Sequence, residues 1–132
     1  MDNCKTQGVQ MNRVLKAIVL SFILTGITWQ AVAFDEADLQ KLKSSLQCPD
    51  CNLSGVDLSG AKLAGANLAY ANLDKARFFR AELVGANLTE ADLTGVDLGF
   101  ADLTGADLSG ANLIDAYMED TNLQDANLAG AD

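Results

Sequence analysis

The sequence has no histidine, one proline and few aromatic residues, which make up 6% of its 132 residues. Because histidine is the commonest general base and a frequent zinc ligand, its absence excludes the usual forms of acid–base and zinc chemistry. Basic residues are also scarce, since nine Lys and Arg stand against eighteen Asp and Glu. The net charge of -9 argues against binding to nucleic acid through its phosphates. The composition therefore predicts a small acidic scaffold.

The N-terminal residues 1–33 have the three parts of a secretory signal peptide. Arg13 and Lys16 form a charged region, residues 17–28 form an apolar run, and residues 31–33 form a small-x-small cleavage site. This stretch is shorter than the roughly 20 apolar residues of a membrane anchor. We therefore expect export, cleavage after residue 33 and no membrane association of the mature chain.

Met11 is a better start for this signal peptide than Met1, because the first ten residues are polar. Cys4 would then have no role. The mature chain, residues 34–132, holds six basic and seventeen acidic side chains and is more acidic than the whole sequence.

Cys48 and Cys51 are the only cysteines of the mature chain. An even number of cysteines in an exported chain favours a disulfide. The alternative is a thiol–disulfide redox pair, which needs a thiolate at the N-terminus of a helix. Since these cysteines follow a predicted helix, a structural disulfide is favoured. A zinc site needs four ligands and is not expected.

Residues 51–130 divide without insertion into sixteen five-residue units that read Ala, Asn or Asp, Leu and two variable residues. The central position is Leu in fourteen units, with Phe78 and Met118 as exceptions, and the first position is Ala in twelve. Apolar spacings of two and three, repeated every five residues, fit neither a helix nor a strand. The chain must turn once per unit, and units this short must stack, as in a solenoid.

The motif Ala-(Asp/Asn)-Leu-x-x resembles that of the pentapeptide-repeat family over residues 51–130. The resemblance implies an all-β solenoid, a right-handed quadrilateral β-helix in which four units make one square coil and the Leu and first Ala point inward. Residues 51–132 would form about four coils. With its leader and its Cys-x-x-Cys start, the chain looks like the pentapeptide-repeat proteins of cyanobacteria and of thylakoid lumens. The resemblance therefore implies the periplasm or a thylakoid lumen as its location.

Residues 34–50 are predicted to cap the first coil. Asp35 is a good N-cap, and Leu39, Leu42 and Leu46 share one face of a short helix from Asp35 to Gln47. The fourth coil has no comparable lid, and an open edge invites pairing with another chain. We therefore expect a homodimer through the C-terminal coil, with a frayed monomer as the alternative.

In such a solenoid, units four apart lie above one another, so side chains can be assigned to columns. The second face consists of residues 56–60, 76–80, 96–100 and 116–120. It carries outward aromatic side chains although the interior of the solenoid is already filled by the Leu and Ala side chains. Exposed aromatic patches often mark interaction sites. The predicted partner-binding residues are Arg77, Phe79, Arg80, Phe100 and Tyr117. In the simpler alternative, Arg80 covers Phe100 by a cation–π contact and Tyr117 shields Arg77.

The C-terminal half is uniformly acidic, since residues 81–132 hold eleven carboxylates and no Lys or Arg. Solubility is the simple explanation. A basic partner, or weak Ca²⁺ binding, is the functional one. The third coil carries four carboxylates in one register, at Asp92, Asp97, Asp102 and Asp107.

The leading hypothesis is an exported, non-catalytic scaffold that binds an unidentified protein through the second face and the acidic half. An enzyme is disfavoured because no nucleophile stands beside a base and no glycine loop precedes a helix. No cofactor, metal or nucleic acid is expected. Another branch of the family imitates DNA and binds topoisomerases, so a DNA mimic is the alternative, although export fits it poorly.

Overall fold

The computed structural model describes residues 34–132. The predicted signal peptide and its cleavage site lie outside the described residues. Helix α1 spans Glu36–Ser45, and the Oδ1 atom of its N-cap, Asp35, accepts the Ala37 N–H at 2.8 Å. The helix ends two residues earlier than the sequence predicts, because Leu46 adopts a left-handed conformation with φ 57°.

Parallel pairing in the described residues consists of isolated bridges between positions twenty residues apart. The first joins Gln47 to Asn67 and the last joins Asp107 to Asn127, and every one falls on the second position of a unit. Twenty residues are four five-residue units, so the chain returns to the same side of the molecule after each set of four. The pairing begins at Gln47, one unit before the sequence repeat becomes recognisable.

Successive coils are joined by backbone hydrogen bonds at three positions of each unit. The central Leu68 N–H donates to Asn87 O at 2.8 Å, and the Asn87 N–H donates back to Ala66 O at 2.8 Å. Tyr70 occupies the fifth position of its unit, which we call the corner, and its N–H donates to Thr89 O at 2.8 Å. The ladder thus satisfies backbone groups that would otherwise be buried without partners.

The core is a lumen filled by the central and first residues of each unit. Most central Leu side chains of the first three coils and Phe78 are fully buried, together with most first-position Ala. No polar side chain is buried among residues 34–132. In the fourth coil burial falls, and Leu128 is 41% exposed.

The hydrogen bonds made at the second position of each unit explain why Asn and Asp are preferred there. The Asp92 Oδ1 atom accepts both the backbone N–H of Thr94 at 3.1 Å and its hydroxyl at 2.6 Å. The backbone bond to the residue two positions later occurs at all twelve Asn and Asp of this register. These side chains therefore form Asx turns that hold the corners.

Helix α1 contacts the first coil through hydrogen bonds and apolar packing. The Asp38 Oδ2 atom accepts the Asn52 N–H at 2.8 Å, and the Asp35 N–H donates to Asn52 O at 2.9 Å. Leu39 and Leu42 are buried in the same cluster as the first coil. The helix therefore shares its apolar packing with the first coil.

Candidate protein-binding surface on the second face

Arg77 lies between two carboxylates of its own column. Its Nη1 atom is 3.5 Å from Asp57 Oδ2 and its Nε atom is 3.8 Å from Asp97 Oδ2. The three residues are brought together by the bridges Asp57 to Arg77 and Arg77 to Asp97. All three side chains are partly or largely exposed, and surface ion pairs of this kind stabilise a fold little. The two carboxylates flank the guanidinium and partly neutralise its charge within the second face.

Phe79, Arg80 and Phe100 form a contact cluster across two coils. The rings of Phe79 and Phe100 meet edge to face, with centroids 5.6 Å apart and planes at 74°. The guanidinium carbon of Arg80 lies 5.1 Å from the Phe79 centroid and 5.7 Å from that of Phe100. The cation–π contact between Arg80 and Phe100, which the simpler alternative predicts, is present and extends to Phe79. Phe100 nevertheless stays 46% exposed.

Tyr117 lies beside this cluster across Gly99. A Cβ atom added to Gly99 would lie 3.1 Å from Tyr117 Cε1 and 3.3 Å from Phe79 Cδ2. Gly99 therefore lets both rings approach one strip of backbone. The Tyr117 hydroxyl donates to Glu119, and the side chain is 51% exposed. All five predicted residues thus lie on one face, where Arg77 pairs with carboxylates and the other four surround Gly99.

Arg80 and Phe100 both occupy the fifth, or corner, position of their units. Every corner is left-handed, and eight units place glycine there. Arg80 and Phe100 instead have φ of 58°. A side chain in this conformation costs roughly 1–2 kcal/mol. Six further corners share this conformation without glycine, at Tyr70, Lys75, Glu90, Asp115, Asp120 and Asp125, so it does not by itself distinguish the second face.

Tyr70 is an exposed aromatic residue that the sequence analysis did not single out. It occupies the corner position of residues 66–70, on the fourth face, with φ 60° and 61% exposure. The signal was available, because Tyr70 stands in the same register as Phe100. It provides a matched comparison for the second face.

Cys48 and Cys51 are joined in a disulfide with Cα atoms 5.4 Å apart. Both are buried, at 0% and 2% exposure. Lys41 Nζ lies 3.9 Å from Cys51 Sγ, and Asp38 O lies 3.2 Å from Cys48 Sγ. The cysteines follow the C-terminus of α1, whereas a thiolate is stabilised at the N-terminus of a helix. Whether the pair exchanges with other thiols stays a prediction.

Few carboxylates of the described residues could share a cation. The one group whose ligand atoms lie within 4.8 Å of one another comprises Asp38, Cys48 and Cys51, whose sulfurs are bonded to each other. The acidic ring of the third coil places one carboxylate on each of four faces. Each of them accepts a backbone N–H and serves its own corner.

The hydrogen bonds that hold the corners also lower the pKa of three carboxyl groups. The Thr104 hydroxyl and backbone N–H hold the pKa of Asp102 below its ordinary value. Ser59 does the same to the pKa of Asp57, and Ser109 to that of Asp107, each through its hydroxyl first and its N–H second. These carboxylates are stabilised as anions by structural bonds.

The solenoid offers no recess for a small substrate in its described part, where neither a cleft nor a cavity is found. Residues 34–132 also contain no helix with the length and apolar character needed to cross a membrane.

The fold and this surface define a stacked-repeat protein with a filled lumen. The pentapeptide-repeat family model matches residues 51–89, 71–110 and 101–132. The chain belongs to the pentapeptide-repeat family, as its repeat predicts. Membership implies a right-handed quadrilateral β-helix, in agreement with the twenty-residue pairing.

Two solved structures of this family are similar to the chain. HetL from the cyanobacterium Nostoc, a pentapeptide repeat protein involved in the regulation of heterocyst differentiation, is 41% identical over 65% of this chain, with a TM-score of 0.60. A pentapeptide repeat protein from the thylakoid lumen of Arabidopsis thaliana is 38% identical over 65% of this chain, with a TM-score of 0.57. The matched region spans 39% of HetL and 61% of the lumenal protein. No curated protein sequence matches the chain significantly.

Proposed function

We propose that this protein is an exported, non-catalytic scaffold of about four coils, capped by α1, that binds another protein through the second face. The binding residues are Arg77, Phe79, Arg80, Phe100 and Tyr117. The observation that carries the proposal is the Phe79–Arg80–Phe100 cluster beside Tyr117, which projects outward although the lumen is already filled.

A binding role accounts for the surface better than catalysis does. The Asn and Asp side chains of the second register are committed to corner bonds, as Asp97 is to the Gly99 N–H at 3.1 Å. The second face offers a cation, rings and carboxylates on a rigid ladder, and aromatic and Arg side chains dominate protein interfaces. Side chains fixed on a regular scaffold lose little entropy on binding.

The periplasm or a thylakoid lumen is the proposed location. The leader-like residues 1–33 and the disulfide between Cys48 and Cys51 favour an oxidising, exported setting. The similarity to a lumenal protein of Arabidopsis adds support for such a compartment. Fractionation of a cell that expresses the tagged chain tests this proposal, and a cytoplasmic pool of full-length protein would contradict it.

Affinity capture tests the binding role. The tagged chain and a Phe79→Ala, Phe100→Gly, Tyr117→Ala variant are compared in extract of the source cells, with Tyr70→Gly as the matched control. We expect a protein that the wild type and the Tyr70 variant both retain and the triple variant loses. Equal capture by all three would contradict the second face as the binding site.

The fourth coil is a proposed site for a second copy. Leu128 is 41% exposed, and among the described residues the N–H groups of Met118, Leu123 and Leu128 have no next-coil carbonyl. Pairing of two such edges would satisfy these groups. Because the coil is acidic, we expect dimerisation to strengthen with salt. Sedimentation equilibrium tests this, and one chain per particle at high salt would contradict it.

A further inference from the structure

The open rings of the second face are bordered by negative charge that the described residues do not neutralise. Glu119 and Asp120 lie in the fourth coil beside Tyr117, and no Lys or Arg follows Arg80 in the sequence. The ion pairs of residues 34–132 all lie within the first three coils. This part of the face therefore combines the exposed rings of Phe100 and Tyr117 with Glu119 and Asp120, which form no ion pair among residues 34–132, although Glu119 accepts the Tyr117 hydroxyl.

The contacts of Arg80 show which chemical group the phenyl rings of this face bind. The guanidinium of Arg80 already lies over Phe79 and Phe100, while much of Phe100 and of Tyr117 stays open. A guanidinium is planar and weakly hydrated, so it can stack on a ring and donate to a carboxylate at once. An ammonium ion lacks this double fit.

We propose that the second face of the third and fourth coils binds an arginine-rich polypeptide segment of a partner protein. One arginine stacks on the open rings of Phe100 and Tyr117. Its guanidinium is bonded by Glu119 and Asp120, and further arginines are attracted by the uniformly acidic half of the chain. The inference rests on the proposed function and names the chemistry of its partner.

A partner protein fits this surface better than a second copy of the chain. In residues 34–132 the only arginines are Arg77 and Arg80, and both are engaged within their own molecule. A second copy would therefore bring mainly carboxylates to an acidic surface. Charge complementarity favours a partner with free arginines.

The test uses the full-length chain and a fluorescent peptide with four arginines separated by pairs of alanines, titrated by anisotropy at physiological salt. Matched lysine and glutamate peptides are titrated beside it. We expect the arginine peptide to bind most tightly and the glutamate peptide not to bind. A Phe100→Gly, Tyr117→Ala variant and a Glu119→Gln, Asp120→Asn variant should each weaken binding roughly tenfold.

Two control variants separate this site from general attraction. Tyr70→Gly removes an exposed corner aromatic from another face, and Asp125→Asn removes a corner carboxylate from the next unit. We expect each to change the affinity by less than about twofold. If the controls weaken binding as much as the site variants, attraction is unspecific and the inference is wrong.

The remaining outcomes distinguish the inference from the proposed function. If the arginine peptide does not bind, yet capture from extract still depends on the second face, the scaffold function stands and the arginine inference fails. If neither depends on this face, both fail. If the site variants instead abolish self-association in sedimentation, the occupant is a second copy and the inference is overturned.

Discussion

The edge of one phenyl ring meets the face of the other where Phe79 and Phe100, from successive coils, approach to a centroid distance of 5.6 Å. Such pairs stabilise by about 0.5–1.5 kcal/mol beyond area burial. Phe79→Ala should therefore lower the free energy of unfolding by about 1–2 kcal/mol. In Phe100→Gly the lost ring contact is offset because glycine adopts the left-handed backbone conformation of this position without strain. We therefore expect the free energy of unfolding to change by less than about 1 kcal/mol.

Urea unfolding of both variants checks this asymmetry. Tyr70→Gly is the control, because in the described residues Tyr70 has the same corner conformation and no ring partner, so it should unfold at an equal or higher urea concentration. Equal losses for Phe79→Ala and Phe100→Gly would show that the corner conformation carries no cost.

Acid should destabilise the solenoid through its corner carboxylates. The pKa values of Asp57, Asp102 and Asp107 are lowered by bonds from Ser and Thr hydroxyls and N–H groups. A folded pKa below the unfolded value of about 3.9 gives stability that is present above that value and lost as pH falls through the folded pKa. We therefore expect the urea midpoint to fall below about pH 4.

Asp102→Asn isolates this effect. Asn occupies the same register elsewhere, and Asn87 Oδ1 accepts the Thr89 hydroxyl at 2.6 Å as Asp102 Oδ1 accepts that of Thr104 at 2.5 Å. The variant should keep the fold at neutral pH and lose less stability than the wild type in acid. Parallel pH curves for the two proteins would count against the corner bonds as the cause.

The disulfide should be structural and protected. Cys48 and Cys51 are buried, so a thiol reagent and reductant should open the bond slowly in the folded chain and quickly in urea. Loss of a cross-link with so short a loop should cost about 2 kcal/mol. Thermal unfolding with and without reductant measures the cost.

A redox role would give the opposite pattern. Exchange would be fast in the folded protein, and Lys41→Met would slow it, because Lys41 Nζ, 3.9 Å from Cys51 Sγ, would stabilise the leaving thiolate. Fast exchange that this variant slows would make the pair a functional site.

Core substitutions in one column should have unequal effects. Leu88 is fully buried and Leu128 is 41% exposed, although both are central residues on the fourth face. Leu88→Ala should cost about 2–5 kcal/mol. Leu128→Ala should cost under about 1 kcal/mol, because little buried surface is lost. Similar costs measured in urea would indicate that the fourth coil is covered in solution.

Much of the candidate site could be predicted from the repeat. Once units four apart are stacked, Arg77 must lie between Asp57 and Asp97, and Phe79 and Phe100 must share a face. The register could not predict ring orientations, which depend on rotamers and on local packing. It also gave no reason to expect Lys41 beside Cys51, because that contact depends on how α1 lies on the first coil.

The sequence by itself determined which residues face inward, since a five-residue repeat without insertions leaves one register for Leu and Ala. It also determined the corners, because glycine and the Asx residues fix the turns locally. Only the tertiary structure decided that Arg80 lies over two rings and that Gly99 admits both Phe79 and Tyr117. These features arise from contacts between coils, which a local repeat specifies in position but not in side-chain geometry.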